Sequence, residues 1–404
     1  MEDLSTGCVI AGGGPAGMMC GYLLARAGID VIVLEKHRDF LRDFRGDTIH
    51  ASTLQLMDEL GLLERFLKRP HDEVHQVTAE IGNEVFKIAD MSRLPTACKF
   101  IAFMPQWEFL NFLAEEAKAL PHFRLMMEAE ATELLAQGDR IVGVMARTPS
   151  GTQEIYAKLV IGADGRHSTM RDRAKLPIKN IGAPFDVLWL RIPAEDGDPH
   201  EPVFRIAGGQ IFIMLYRGDY WQCAFLIPKG VFPQMKAEGI VKFQQRVAAV
   251  AGFARDRARD IENFDAIGLL TVAIDRVEEW ARPGLLLIGD AAHAMSPVGG
   301  IGINLAVQDA VAAANILAPI LVTRAPELGE LQRVQKRRQW PTVATQWFQV
   351  QVQNYVLAPT LKASRTPKAP WPLRLLNRFP WLRQWPARFV AIGLRPEHVK
   401  TPRV

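Results

Sequence analysis

What the 404-residue sequence lacks already excludes several kinds of protein. There are only four cysteines, Cys8, Cys20, Cys98 and Cys223, widely spaced, with no CxxC pair and no metal-ligand pattern. That spacing argues against a disulfide scaffold and against any metal site. It suits reduced core thiols in a reducing compartment, the cytoplasm. Long polar low-complexity tracts are missing, so the chain is expected to be globular. No internal repeat is evident. The opening residues, MEDLSTGCVIAGGG, have no basic stretch ahead of their apolar run, so a secretory signal is not expected. No apolar run approaches the roughly 20 residues of a spanning helix, so no membrane crossing is expected.

Acid is also scarce in one place. Residues 331–404 hold fourteen lysines and arginines but a single acid, Glu397, so the net charge of +4 divides into +13 here and −9 in the rest. A basic tail can serve nucleic-acid binding. In this one, however, the arginines are interleaved with Trp340, Trp347, Trp371, Trp381 and Trp385 and with many prolines, and no nucleic-acid partner is expected. Two readings stay open for residues 326–404, which look like proline-broken helices. They form either a cap over the acidic main body with arginines snorkelling, or a surface for peripheral membrane contact.

At this length two structural units are the default. Residues 7–13 read as a buried strand, Pro15–Ala27 as a helix and 30–34 as a second strand, which together make a βαβ unit and imply a parallel sheet. An amphipathic helix is expected over 52–67 with Ser52 as N-cap, strands within 77–90, and a helix over 106–120. An antiparallel pair of 123–135 with 140–146 should turn at Gly138-Asp139, and 159–165 should be a third buried strand. From about 176 to 274 the pattern changes to alternating, aromatic-rich strands with one helical piece at 235–254. The parallel-sheet pattern resumes at LLLIGD, 285–290. The expected fold is α/β: a Rossmann-like dinucleotide-binding domain with a parallel sheet (1–75, 100–175 and 268–325), interrupted by a mostly antiparallel β-sheet substrate domain (76–99 and 176–267). A helical basic segment, 326–404, follows.

Three motifs carry chemistry. GGGPAG places Gly12, Gly14 and Gly17 between a strand and a helix. Gly12 allows the sharp turn, Gly14 lets a pyrophosphate approach the backbone, and Gly17 lets the helix pack closely. Glu35 ends the next strand, placed to accept from an adenosine ribose hydroxyl. IGADGRHS carries Asp164-Gly165, which by itself could be an ordinary turn. GDAAHAMSPVGGIGIN, 289–304, places Asp290 at a strand end where open α/β sheets bind ligands. A metal reading fails there because Asp290 and His293 have no third partner nearby, and a nucleophilic triad lacks its elbow. What remains is a carboxylate facing a polyol, a loop poor in side chains, and a helix starting near Ile303 whose N-terminus suits an anionic ring.

In this order, the three motifs resemble flavoprotein aromatic hydroxylases of the p-hydroxybenzoate hydroxylase fold, the class A flavin monooxygenases, over roughly residues 5–325. The resemblance implies bound FAD, with Gly12, Gly14, Ala16 and Gly17 around the pyrophosphate and Glu35 on the ribose. Arg45 would lie near the pyrophosphate and flavin edge, and Gln106, where many relatives have Arg, near the ribityl chain. Ala131 would contact adenine through its backbone, and Asp290 would hold the ribityl and phosphate part. Pro297 through Ile303, Gly300 and Gly302 included, would run beside the isoalloxazine. Asp164 is expected to couple FAD to NADH or NADPH, the co-substrate. The implied reaction is hydroxylation of an aromatic or similarly electron-rich small molecule, with oxygen added at the flavin C4a carbon as a hydroperoxide in a dry pocket.

The roof of that pocket is expected from Trp189, Phe204, Phe212, Met214, Tyr216, Trp221 and Phe225. His50 and Tyr216 are candidate bases, with Arg45 and Pro297 beside the reacting ring. His293 reads as a packing residue, while Arg191 and Arg205 are weaker candidates for a substrate carboxylate. The main alternative is a flavin-dependent reductase of a prenyl-type or other apolar substrate. A halogenase lacks its WxWxIP pattern here, and a non-catalytic flavin scaffold is the reading outside enzymes.

Overall fold

A computed structural model describes residues 4–41, 48–363, 366 and 368–404. Strand Leu4–Ala11, helix Pro15–Arg26 and strand Val31–Glu35 form the expected βαβ unit, with Cys8–Ala11 and all of Val31–Glu35 buried. Runs of apolar residues buried on both faces are what a parallel sheet covered by helices demands. The parallel strands run in the order Leu285–Leu287, Gly151–Gly162, Leu4–Ala11, Val31–Glu35, Phe123–Met127. Phe123–Met127 thus joins this sheet. The antiparallel pair turning at Gly138-Asp139 is made by Glu130–Gln137 and Arg140–Thr148. Helix Gly302–Leu321 packs against Pro15–Arg26 behind the sheet.

Two local expectations change. The 52–67 segment is broken: a helix spans Ala51–Glu59, Gly61 takes φ +70°, and a short turn follows at Leu63–Phe66. A left-handed glycine ends a helix at no steric cost, and His50 rather than Ser52 occupies the N-cap. The stretch Val298–Leu321 also meets the length and composition of a spanning helix, with mean hydropathy 1.4, contrary to the sequence expectation. Since 83% of its most apolar window is buried, its greasiness is spent on the core.

The second sheet has the order Gly268–Leu270, Phe185–Pro193, Tyr220–Pro228, Gln210–Tyr216, Val203–Ala207, Gln76–Ile81, Glu84–Asp90. Gly268–Leu270 pairs with Phe185–Pro193, so this stretch joins the antiparallel sheet. Alternation along each strand separates two faces. Phe212, Met214, Tyr216, Trp221 and Phe225 pack on the outer side with Phe243 and Val247 of helix Ile240–Val250. Val187, Trp189, Ile211, Ala224 and Leu226 face the other way, toward Val298 and the C-terminal segment.

That segment is more continuous than its prolines suggest. Helix Leu328–Val352 runs through Pro341 and passes by one wide turn, Gln353–Leu357, into Ala358–Lys362. Pro341 is buried and costs the helix a hydrogen bond, which packing against helix Gly302–Leu321 offsets. The chain then crosses strand Glu84–Asp90 with helix Trp371–Arg378. Its last residue returns to the first helix, where the Val404 N–H donates to the Arg26 carbonyl at 3.1 Å.

Candidate active site

The three motifs converge by close approach of backbone. A Cβ on Gly12, which has φ +105°, would lie 2.4 Å from the Ala163 carbonyl oxygen, and one on Gly17 would lie 1.9 Å from the Gly12 oxygen. Only glycine therefore permits the first turn to touch the Ala163-Asp164 turn. Gly289, at φ +60°, is wedged between Ala16 and Ala306, with its would-be Cβ 3.0 and 3.3 Å from theirs. This wedge sets the Asp290 turn beside the N-termini of two helices, Pro15–Arg26 and Gly302–Leu321. Neither start carries a side-chain cap or an acid in its first turn, so both dipoles are left for an external anion.

Gly14 contrasts with its neighbours: a Cβ there would meet nothing within 4 Å. The open space beside an uncapped helix start fits the pyrophosphate of a dinucleotide. Glu35 is buried, and its carboxylate accepts from the Gly13 N–H at 3.0 Å and the His37 N–H at 3.1 Å. Ala131 is the second residue of the Glu130–Gln137 strand, next to the end of Val31–Glu35, where the Ala129 N–H donates to the Glu35 carbonyl at 2.9 Å. Gln106 begins helix Gln106–Lys118 behind Pro105. Arg45 lies outside the described residues.

Asp164 is turned inward. Its carboxylate accepts from the Ser168 hydroxyl at 2.5 Å and the Met170 N–H at 3.0 Å, anchoring the short helix Thr169–Arg173. Burial raises its pKa against the pull of those hydrogen bonds. Arg166, two residues on, was not singled out from the sequence although it lies inside the IGADGRHS motif. Its Nε donates to Asp290 at 3.1 Å, while Nη1 is buried without a partner, leaving a guanidinium edge beside the proposed cofactor anchor.

The loop from Pro297 to Ile301 is held from behind. Gly299 and Gly300 take φ +80° and +62°, and the Gly300 carbonyl accepts from the Thr48 hydroxyl at 2.9 Å. Asn304 Oδ1 accepts from the His50 N–H at 2.9 Å and the Thr53 hydroxyl at 2.7 Å, bolting the start of the long helix to Thr48–Thr53. Helix Gly302–Leu321 starts one residue before Ile303, as the motif implied.

The two candidate bases land differently from the expectation. Tyr216 stacks on His200 at 4.3 Å on the outer face of the second sheet, because register gives it the orientation of Phe212 and Met214. The same parity removes Phe212, Met214, Trp221 and Phe225 from the proposed roof. Trp189 remains on the inner face, as does Phe204, which pairs with Ile213. His50 is fully buried, with Nδ1 2.7 Å from the Val390 carbonyl, and burial lowers its pKa from 6.5 to about 4. It is a neutral link between loop and tail. Arg205 pairs with Glu80 at 2.7 Å and Arg191 lies over the Tyr220 ring, so neither points to a substrate carboxylate.

His293 belongs to a buried ionic cluster with no counterpart in the sequence reading. Its Nε2 lies 2.5 Å from Asp309 Oδ2, which also accepts from the Gly289 N–H at 3.1 Å. Arg338 donates to Asp309 Oδ1 at 3.1 Å and reaches Glu397 at 3.3 Å, which in turn accepts from Arg337 at 2.6 Å. Burial alone would raise the Asp309 carboxyl; His293 and Arg338 outweigh it and hold it below the usual range. The signal was present in the sequence, because Asp309 is the one charged residue in Gly302–Leu321. Among the described residues no cluster of metal-ligating side chains occurs.

A glycine-rich turn beside two uncapped helix starts suits a bound dinucleotide, and comparison with known proteins agrees. The family described as FAD binding domain matches residues 5–347. A 6-methylpretetramide 4-monooxygenase from Streptomyces rimosus is 32% identical over 91% of this chain and 88% of its own length. A rifampicin monooxygenase from Streptomyces venezuelae is 29% identical over 75% of this chain, which spans 62% of that longer protein. PqsL from Pseudomonas aeruginosa, solved with 2-aminobenzoylacetate, shares the fold at TM-score 0.75 and 18% identity, covering 88% of this chain and 98% of its own. The chain belongs to the class A FAD-dependent aromatic monooxygenase family.

Proposed function

We propose that the protein hydroxylates an electron-rich aromatic small molecule with molecular oxygen, using NADH or NADPH as reductant. Bound FAD would supply the chemistry by accepting hydride and activating oxygen at its C4a carbon. Gly12, Gly14, Ala16 and Gly17 would hold its pyrophosphate, Glu35 the ribose, Asp290 with Arg166 the ribityl and phosphate part, and Gly300 through Ile303 the ring. Gln106, Ala131, Pro297 and Asp164 keep the roles given by the resemblance.

The observation that carries the reading is the inner sheet face. Val187, Ile211, Ala224 and Leu226 form an apolar wall toward Val298, and beside them the Trp189 indole N–H is buried without a partner. Such a wall excludes water, and one unsatisfied donor suits a flat ring bearing an oxygen. The helix start at Gly302 favours an anion beside the loop. His50, buried and neutral, positions the loop in this scheme. The four cysteines are free and buried, which suits work in the cytoplasm.

Oxygen uptake and peroxide release with NADH or NADPH, with and without a panel of phenols and N-heteroaromatics, test the proposal. Substrate-stimulated NAD(P)H oxidation with labelled oxygen in the product is expected. Stimulated oxidation with a reduced product and no incorporated oxygen would favour the apolar-substrate reductase instead.

A further inference from the structure

The C-terminal segment leaves a continuous aromatic surface uncovered. On helix Leu328–Val352 and its extension, Trp340, Trp347 and Tyr355 recur every two turns and are 58–76% exposed. No charged residue occurs from 339 to 361. Phe348 meets Phe389 at 4.6 Å, joining this stripe to helix Gln384–Ala391. Beyond it Trp371, Trp381 and Trp385 are 55–74% exposed.

The charged residues on the helices that carry these rings, from 371 to 391, are all basic. In helix Trp371–Arg378, Trp371, Arg374, Leu375 and Arg378 share the exposed face. Asn377, on the opposite side, bonds the backbone of Lys87 and Val85, fixing the helix on the edge strand with that face outward. Arg374, Arg378 and Arg388 make no ion pair among the described residues. The tail's single acid, Glu397, is buried against Arg337 and Arg338. Arg338 caps the body through Asp309, whereas Arg374, Arg378 and Arg388 have no such partner among the described residues.

We propose that this face docks the protein on an anionic lipid surface. Exposed contiguous apolar surface of this kind needs a partner. Tryptophans with flanking arginines suit the interface, where indole rings sit among headgroups and cations meet lipid phosphate. The segregation of +13 in the tail from −9 elsewhere orients the molecule, since the body is repelled by the surface that attracts the tail. A symmetric dimer through the same face would set arginine on arginine with no carboxylate to answer them.

The test uses full-length, FAD-loaded protein and vesicles of equal parts phosphatidylglycerol and phosphatidylcholine. Flotation with these vesicles at low salt, release at high salt, and little flotation with pure phosphatidylcholine are expected. Arg374→Glu with Arg378→Glu should weaken binding about twentyfold or more, from roughly fivefold per charge removed. Trp381→Ser with Trp385→Ser should weaken it while NAD(P)H oxidation in solution stays unchanged. Absence of flotation at low salt with folded protein overturns the proposal. So does binding that ignores lipid charge and both double variants. A dimer broken by the tryptophan variant, without vesicle binding, would make the face a protein interface and overturn it equally.

Discussion

Replacing Gly14 and Gly17 separately by alanine distinguish packing from cofactor approach within a single turn. At Gly17 the new Cβ would lie 1.9 Å from the Gly12 oxygen, whereas an ordinary carbon–oxygen contact is about 3.3 Å. The helix would have to retreat by about 1.4 Å, yet Met18, Met19 and Leu23 are fully buried against the sheet. Overpacking of this size costs about 1–3 kcal/mol. Gly17→Ala should therefore lower the Tm of the apoprotein and lose FAD together. At Gly14, φ is −74° and nothing lies within 4 Å, so the apoprotein should keep its Tm. The methyl group would stand where the pyrophosphate approaches the backbone, and FAD affinity should fall about tenfold or more, ~1.4 kcal/mol. Thermal unfolding by circular dichroism and FAD titration by flavin fluorescence read the two effects. A Gly14→Ala protein with unchanged FAD affinity would refute the placement of the pyrophosphate. A Gly17→Ala protein with unchanged Tm would refute the packing argument.

Other consequences follow from the same geometry. Tyr216→Phe should leave turnover and its pH profile unchanged, because Tyr216 lies on the outer face, whereas Trp189→Phe should raise KM or peroxide release; oxygen-electrode assays of both compare the two faces. Arg338→Met should cost about 3–5 kcal/mol, since it leaves the Asp309 carboxylate buried with only His293, and urea unfolding measures this. The pKa of His50 falls from 6.5 in the unfolded chain to about 4 when folded, so the unfolded chain binds more protons in that window. Stability is then full above pH 6.5 and falls by roughly 3 kcal/mol as pH drops toward 4, and His50→Asn should flatten that part of the Tm–pH curve.

The cofactor motifs were legible because their chemistry is local. Gly12 and Gly17 are demanded by distances across one turn, and Glu35 ends the adjacent strand of the same βαβ unit. Strand and helix types followed from apolar runs and alternation for the same reason. The continuous helix through Pro341 was hidden because its stability comes from packing against residues 302–321 rather than from its own sequence. Likewise, the Asp309 cluster joins residues 289, 293, 309, 338 and 397, and no spacing rule links positions so far apart.

Sequence by itself determined the glycine turn of a βαβ unit and the alternation of two kinds of sheet. It also set the basic aromatic character of the tail. Tertiary structure decided which face of each strand meets the site: Tyr216 and Trp189 look alike as aromatic strand residues, and only pairing register sends one outward and the other toward Val298. It also decided that His50 is sealed and neutral, and that Trp371, Trp381, Trp385, Arg374 and Arg378 of the tail face outward while Arg338 is buried. Side-chain direction in a sheet, burial and desolvation depend on what the rest of the chain places alongside, and a linear sequence does not contain that neighbourhood.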